Sequence, residues 1–271
     1  MTAPLYMTPP NTPAVRAEIR AGRLGAIVTP AQGNKLEEGW TWCGDNGVFQ
    51  KREQGGAYPG DDAFLAWLDK LKPFQETCLF VVAPDVPKNA FKTALRSYEM
   101  LQRIRDKGYP AALAGQDFTE FCNWWSWDDF DCLFIGGSTE WKLSDAAASL
   151  AQDARANGKH VHAGRVNSGI RAAHFRDLAD SYDGTTMAIA PDKNLGKVIG
   201  WRNAALYDSP MFHHDVEYDP HDGGYDLKNW TWKDAPPPPR PQRRTLHVPG
   251  QTDLLDAYDD ESVPRQQLTL V

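Results

Sequence analysis

The chain is poor in the features that would fix a function quickly. Its four cysteines, Cys43, Cys78, Cys122 and Cys132, form no CxxC pair and no zinc-ribbon spacing. Three of them fall in apolar runs, which is the setting of a buried reduced thiol and suits a cytoplasmic protein. The longest apolar runs reach only about eight residues, against the roughly 20 that cross a bilayer, so no membrane partner is expected. The N-terminal MTAPLYMTPPNTP has neither a basic start nor an apolar core, so no secretory signal is expected. Excess positive charge is missing too: 29 basic residues face 36 acidic ones, a formal net charge of −7. That deficit is uneven. Residues 208–271 hold 12 acidic and 6 basic residues, whereas residues 1–207 hold 24 and 23. A nearly neutral body can still carry a local basic surface, so charge neither supports nor excludes a nucleic-acid partner.

What is present is a repeated phrase: a short apolar run, a polar turn, then a helical stretch. The apolar runs are Leu24–Thr29, Trp40–Gly44, Cys78–Pro84, Ala111–Gly115, Cys132–Gly136 and Val161–Val166, with a weaker one at Ser181–Thr186. Between them, Lys88–Lys107 places Phe91, Leu95, Tyr98, Leu101 and Ile104 at spacings of three and four, and Gly108 stops it. Leu143–Asn157 and Ser168–Leu178 are further helical stretches. Strands alternating with helices imply a parallel sheet. Seven or eight units over about 200 residues predict an α/β protein, a (β/α)8 TIM-like barrel, with an open doubly wound sheet as the competing architecture. The eighth strand has no clear place. Residues 208–271 read as a Pro-rich acidic extension, opening into Ala235-Pro-Pro-Pro-Pro-Arg-Pro241.

In a barrel the C-terminal ends of all strands face one mouth. Just past the apolar runs stand Asp45, Asp85, Gln116, the pair Gly136–Gly137, Asn167 and Asp183, with Asp180 three residues before the last. Paired carboxylates can divide acid, base and nucleophile duties, as in glycosyl chemistry. Glycines let a flat ligand approach backbone N–H groups. A lone Asp after a strand is more often a turn residue or helix cap, but Gln116 is a poor capper, and the set taken together is harder to dismiss.

With those residues in view, the chain resembles the tRNA-guanine transglycosylase superfamily. It is most similar to the phage and bacterial branch that places 7-deazaguanines in DNA, the DpdA-type enzymes. GDNGVFQ resembles the family's Asp-Ser-Gly-Gly-Phe-Gln segment, VAPD its base-reading aspartate strand, AGQ its glutamine strand and FIGGS its double glycine. HAGRVNS and ADSYDGT resemble segments typical of the DNA-modifying branch. The six segments occur in family order over about residues 24–205.

The resemblance implies a DNA-guanine transglycosylase that exchanges guanine for a 7-deazaguanine of the preQ0 kind through a covalent aspartyl-glycosyl intermediate. Asp183 would be the nucleophile on C1′ and Asp45 the proton-handling group. Asp85, Gln116, Gly136 and Gly137 would read the base, with Phe49 stacking on it and Ala163 and Gly164 beneath it. Apart from the resemblance, Arg165, Asn167 and Arg171 stand near the expected mouth and could meet the nucleic acid, with surface solvation as the alternative. The implied partners are guanine-containing DNA and the free 7-deazaguanine base. No cofactor is implied, and no zinc, because nothing after Cys132 is a cysteine to rebuild the zinc site of the tRNA enzymes. Ala163 departs from the methionine common at that position.

Other readings stay open beside it. A nucleoside or glycoside hydrolase could use the same carboxylates with water, a tRNA substrate fits the superfamily, and a silent base-binding protein would need no catalyst. His160 and His162, two apart on a strand, could hold a metal with Asp183 in a metal-dependent hydrolase. His213, His214, Asp215 and His221 form a second candidate metal cluster. Trp124–Trp127 could stack on bases or merely pack over the rim, and Arg240, Arg243 and Arg244 could touch a DNA backbone.

Overall fold

In the computed structural model, residues 3–49, 58–122 and 125–207 are described, with backbone only for 205–207. Eight strands close a fully parallel barrel in sequence order. They are β1 (Leu5–Thr8), β2 (Leu24–Val28), β3 (Trp42–Gly44), β4 (Cys78–Val82), β5 (Ala111–Gly115), β6 (Cys132–Ile135), β7 (His160–Ala163) and β8 (Ser181–Asp183). The helices are α1 (Pro13–Arg20), α2 (Asp61–Lys70), α3 (Ala90–Asp106), α4 (Thr139–Lys142), α5 (Asp145–Ala156), α6 (Gly169–Phe175), α7 (Thr186–Ile189) and α8 (Pro191–Tyr207). The chain is a (β/α)8 barrel. The Pro-rich acidic extension and the histidine and arginine groups expected beyond residue 207 lie outside the described residues, as does Trp124.

The strand missing from the sequence reading is β1. Its LYMT is too short to stand out between Pro4 and Pro9, yet it closes the barrel by pairing Tyr6 with Leu24 on one side and Met7 with Asp183 on the other. Pairing supplies what local propensity does not.

Alternation along the strands makes two cores. Val28, Trp42, Val81, Leu113, Leu133 and Val161 point outward and pack under the helices. Met7, Ile27, Cys43, Phe80, Val82, Ala112, Ala114 and Cys132 fill the barrel itself. All four cysteines are free and buried. On β7 and β8 the inward positions are instead His160, His162, Ser181 and Asp183, so one side of the interior is polar. The rings of Phe80 and Phe134 lie 5.0 Å and 4.7 Å from that of His162 and wall this polar strip off from the apolar side.

Helix α3 turns a different face inward than its apolar spacing predicts. Ala90, Thr93, Ser97, Met100, Leu101 and Ile104 are buried, while Leu95 and Tyr98 are 71% and 62% exposed. The reason is polar. Thr93 Oγ1 donates to the Val86 carbonyl at 2.9 Å and accepts from its N–H at 2.9 Å, and Ser97 Oγ donates to the Pro84 carbonyl at 2.9 Å. These bonds clamp the β4–α3 loop that carries Asp85, and small side chains let the helix sit close enough to make them.

This assignment predicts that Leu101→Ala lowers stability by about 2–4 kcal/mol in denaturant melts. Leu95→Ala, one of the positions of the apolar spacing, should change it by less than about 0.5 kcal/mol.

Candidate functional site

Three strand ends bring the carboxylates together. Asp45 follows β3 directly, in a turn that its own side chain builds: Oδ1 accepts the Gly47 N–H at 2.6 Å, and Asn46 Oδ1 accepts the Val48 N–H at 2.8 Å. Gly47 takes a φ of 77°, which a side chain would resist. The carboxyl of Asp45 is half-buried, and burial pushes its pKa up to about 7, with the charges of Asp183 and Asp85 adding to the rise against the Gly47 N–H. It is therefore a group that exchanges a proton near neutral pH.

Asp85 and Gln116 meet each other. Gln116 Nε2 donates to Asp85 Oδ2 at 2.6 Å, and Asn46 Nδ2 donates to Asp85 Oδ1 at 2.9 Å and to the Ala83 carbonyl at 2.9 Å. Gln116 Oε1 accepts the N–H groups of Lys88 at 2.8 Å and Gly137 at 3.0 Å. Burial raises the Asp85 pKa against these donors. Asn46 thus does more than turn the chain, a role its Asn-Gly context conceals. The N–H of Gly136 goes to the Gly115 carbonyl at 2.8 Å, so the double glycine serves packing as well as access. A Cβ on Gly136 would stand 2.9 Å from Gln116 Nε2, and one on Gly137 2.5 Å from the Trp141 ring.

Asp183 lies at the end of β8 with a narrow edge of its carboxylate exposed. Oδ2 accepts from His162 Nε2 at 3.0 Å and Oδ1 from the Arg165 N–H at 2.8 Å. Burial opposes its charge, but the His162 hydrogen bond and charge, the Arg165 N–H and the Lys142 ammonium outweigh it, and the pKa falls below the usual carboxylate value. Lys142, at the end of α4, is itself fully buried and donates to the Gly164 carbonyl. Burial, with Arg165 and Arg171 adding to it, lowers its pKa well below that of a free lysine, and Asp183 and Asp117 partly restore it. No strand-end motif contains Lys142, so the sequence offers no signal for it. Gly184 must be glycine: a Cβ there would stand 2.5 Å from both Asn167 Oδ1 and the Val166 carbonyl.

The remaining expected residues divide between rim and interior. The Arg165 guanidinium sits 4.6 Å over the ring of Phe49, which is 58% exposed, and also donates to the Gly137 carbonyl. These two groups stand together at the rim. Asn167 Oδ1 accepts the Thr185 N–H at 2.7 Å and ties the loop after β7 to the one after β8. Gly164 admits the Phe134 ring, 2.7 Å from where its Cβ would be. Two placements are corrected. Ala163 does not lie beneath the mouth: strand parity turns it outward, into the core under the helices. Arg171 is not a surface cation; it is buried, donating to the Arg165 carbonyl at 2.9 Å and to Thr139 Oγ1 at 3.3 Å. Asp180, before β8, belongs to the opposite end of the barrel, where it accepts the Val161 N–H at 2.8 Å. Trp125 and Trp127 pack edge-on at 5.0 Å and rest against the core with Phe130.

The pKa of Asp45 makes a pH prediction. Below pH about 4 its carboxyl is protonated in both folded and unfolded chains. Between about 4 and 7 the folded chain keeps a proton that the unfolded chain releases, so stability falls as pH rises through this window. Asp45→Asn removes that cost while keeping the acceptor for Gly47. It should stabilise the protein by on the order of 1–3 kcal/mol at pH 8 and by little at pH 4, read from paired denaturant melts.

No family model matches the chain, and no curated protein matches it. Similar solved structures include tryptophan synthase from M. tuberculosis in an aminoacrylate-bound form, at 16% identity and TM-score 0.39, covering 71% of this chain and 64% of that one. A native KDPGal structure is 14% identical at TM-score 0.45 over 75% of this chain and 94% of that one. A tryptophan synthase complex from Pyrococcus furiosus is 11% identical at TM-score 0.34, over 71% and 66%. The chain spans just under two thirds of the M. tuberculosis chain. At these values the likeness carries no argument about this chain.

Proposed function

We propose that the protein is a base-exchanging transglycosylase that replaces guanine in DNA with a 7-deazaguanine. The observation that carries this reading is the opposite tuning of two carboxylates at one mouth. Asp183 is held ionised by its donors, whereas Asp45 is held near neutrality by burial. Such a pair divides labour: one group attacks as an anion while the other gives and takes a proton.

In the forward half-reaction a carboxylate oxygen of Asp183 bonds to C1′ of a deoxyguanosine. The C1′–N9 bond breaks, its electron pair leaves with guanine, and the Asp45 carboxyl protonates the departing base. In the second half the incoming 7-deazaguanine gives its N9 proton to Asp45, N9 bonds to C1′, and the ester to Asp183 breaks. Protons balance over the cycle, and neither metal nor redox partner enters. The Asp85–Gln116–Asn46 cluster gives the mouth fixed polar groups suited to a base edge. Phe49 and Arg165 at the rim provide a π face and a cation for a nucleotide. Reaching C1′ in a duplex requires the nucleotide to be extruded.

Exchange of labelled guanine out of duplex DNA, with and without a 7-deazaguanine acceptor, tests the reading. Release only with acceptor supports transfer. Release without it indicates hydrolysis by the same carboxylates, and no release in either case rejects both. A parallel assay on tRNA separates the two nucleic acids. Asp183→Ala should reduce exchange by at least about 10³-fold while the variant stays folded, at a stability cost of about 1–3 kcal/mol for the buried His162 donor that loses its acceptor; full activity in that variant would remove Asp183 from the mechanism.

A further inference from the structure

His160 and His162 share the inward face of β7, the arrangement that suggests a metal pair, but three of their four ring nitrogens are otherwise engaged. His160 Nε2 lies 2.7 Å from Ser181 Oγ, His162 Nδ1 lies 2.8 Å from the same oxygen, and His162 Nε2 lies 3.0 Å from Asp183 Oδ2. The four side chains form one string through the closed part of the barrel, with His162 and Ser181 wholly buried. The ionised Asp183 carboxylate can only accept, so its contact is a hydrogen bond when His162 Nε2–H donates, and the Ser181 hydroxyl, which can both donate and accept, links the two rings.

The order of groups inverts the familiar hydrolase triad. There a carboxylate orients a histidine that acts on substrate. Here a histidine with no exposure orients a carboxylate whose edge reaches the mouth. We propose that His162 is the positioning residue of Asp183, and that Ser181 and His160 fix the ring and tautomer in which it donates. This rests on the reading of Asp183 as the nucleophile.

The surroundings make the ring hard to replace. Phe80 and Phe134 pack against it at 5.0 Å and 4.7 Å. Burial and the neighbouring His162 drive the His160 pKa down to about 4, partly offset by Asp180, so His160 stays neutral beside Ser181. The other groups that face Asp183 come from four directions: Tyr6 on β1, Cys43 and Asp45 near the end of β3, Lys142 on α4, and Arg165 after β7. Tyr6 and Cys43 are held protonated by burial. Asp45 opposes the Asp183 charge, and Lys142 and Arg165 support it without reaching Oδ2.

The test uses the full chain and two readouts, carboxyl ¹³C NMR titration of Asp183 (assigned by its loss in Asp183→Asn) and guanine exchange against pH. His162→Phe keeps a ring and removes the donor; His162→Gln keeps a donor near the Nε2 position. In the Phe variant the Asp183 titration should rise by about one pH unit. Exchange at pH 7 should fall roughly 10- to 100-fold, with its acid limb moved up by the same interval. In the Gln variant both should return toward wild type. An Asp183 titration unmoved by Phe, or moved equally by Gln, overturns the proposal. If the Phe variant does not fold, Ser181→Ala must raise the titration in the same direction, and an unshifted value overturns it. A wild-type protein that exchanges no guanine but shows the Phe-specific, Gln-rescued titration would reject the transglycosylase reading while upholding His162 as the residue that positions Asp183.

Discussion

A polar side chain inside a closed barrel has no water to fall back on, and the site depends on how β7 and β8 meet that constraint. Leaving a buried donor or acceptor unpaired costs about 1–3 kcal/mol. Four inward polar residues therefore have to satisfy one another. They do so in a line, which leaves the outermost member, Asp183, anchored from below and open above. On the other strands the inward positions are apolar and supply packing. The barrel is thus mechanically one body but chemically two-sided.

The same constraint separates the carboxylates at the mouth. All three are drawn from water by the strands beneath them, and burial alone would push every one toward the neutral acid. Their partners decide the outcome. Asp183 has a histidine, a backbone N–H and a nearby buried ammonium. Asp85 has two carboxamides, which offer dipoles but no charge. Asp45 has one backbone N–H from the turn that it nucleates. Three similar side chains at the ends of β3, β4 and β8 thereby diverge, two with raised proton affinity and one with lowered, with no residue type that would announce the difference in a sequence.

That explains what could be read in advance. Strand ends are legible because a parallel barrel repeats one grammar, so Asp45, Asp85, Gln116 and Asp183 could be placed at one mouth from spacing alone. Second partners are not legible. Asn46 reads as a turn, Ser181 as an ordinary strand residue and Lys142 as a surface helix residue, because their roles depend on what another strand or loop places opposite them. Helix α3 shows a related limit. Phe91, Leu95, Tyr98, Leu101 and Ile104 make a plausible stripe, but the helix is rotated by what Thr93 and Ser97 hold, and polar groups that face inward are invisible to apolar periodicity. Ala163, which the resemblance sets beneath the base, lies one residue along from the inward-facing His162 and so on the other side of the sheet.

The pairing of β1 with β8 ties the nucleophile candidate to the first strand of the barrel: Met7 stands beside Asp183 across the closing seam. On a ribosome adding about 5–20 residues per second, β1 is made on the order of ten seconds before the strand that completes it. Throughout that interval its edge is open, and an open edge invites the wrong strand. Its brevity and the prolines on either side, Pro4, Pro9 and Pro10, give a stray partner few N–H groups to bind. The features that hide β1 from a sequence reader also hide it from other chains, until the strand that carries Asp183 closes the seam.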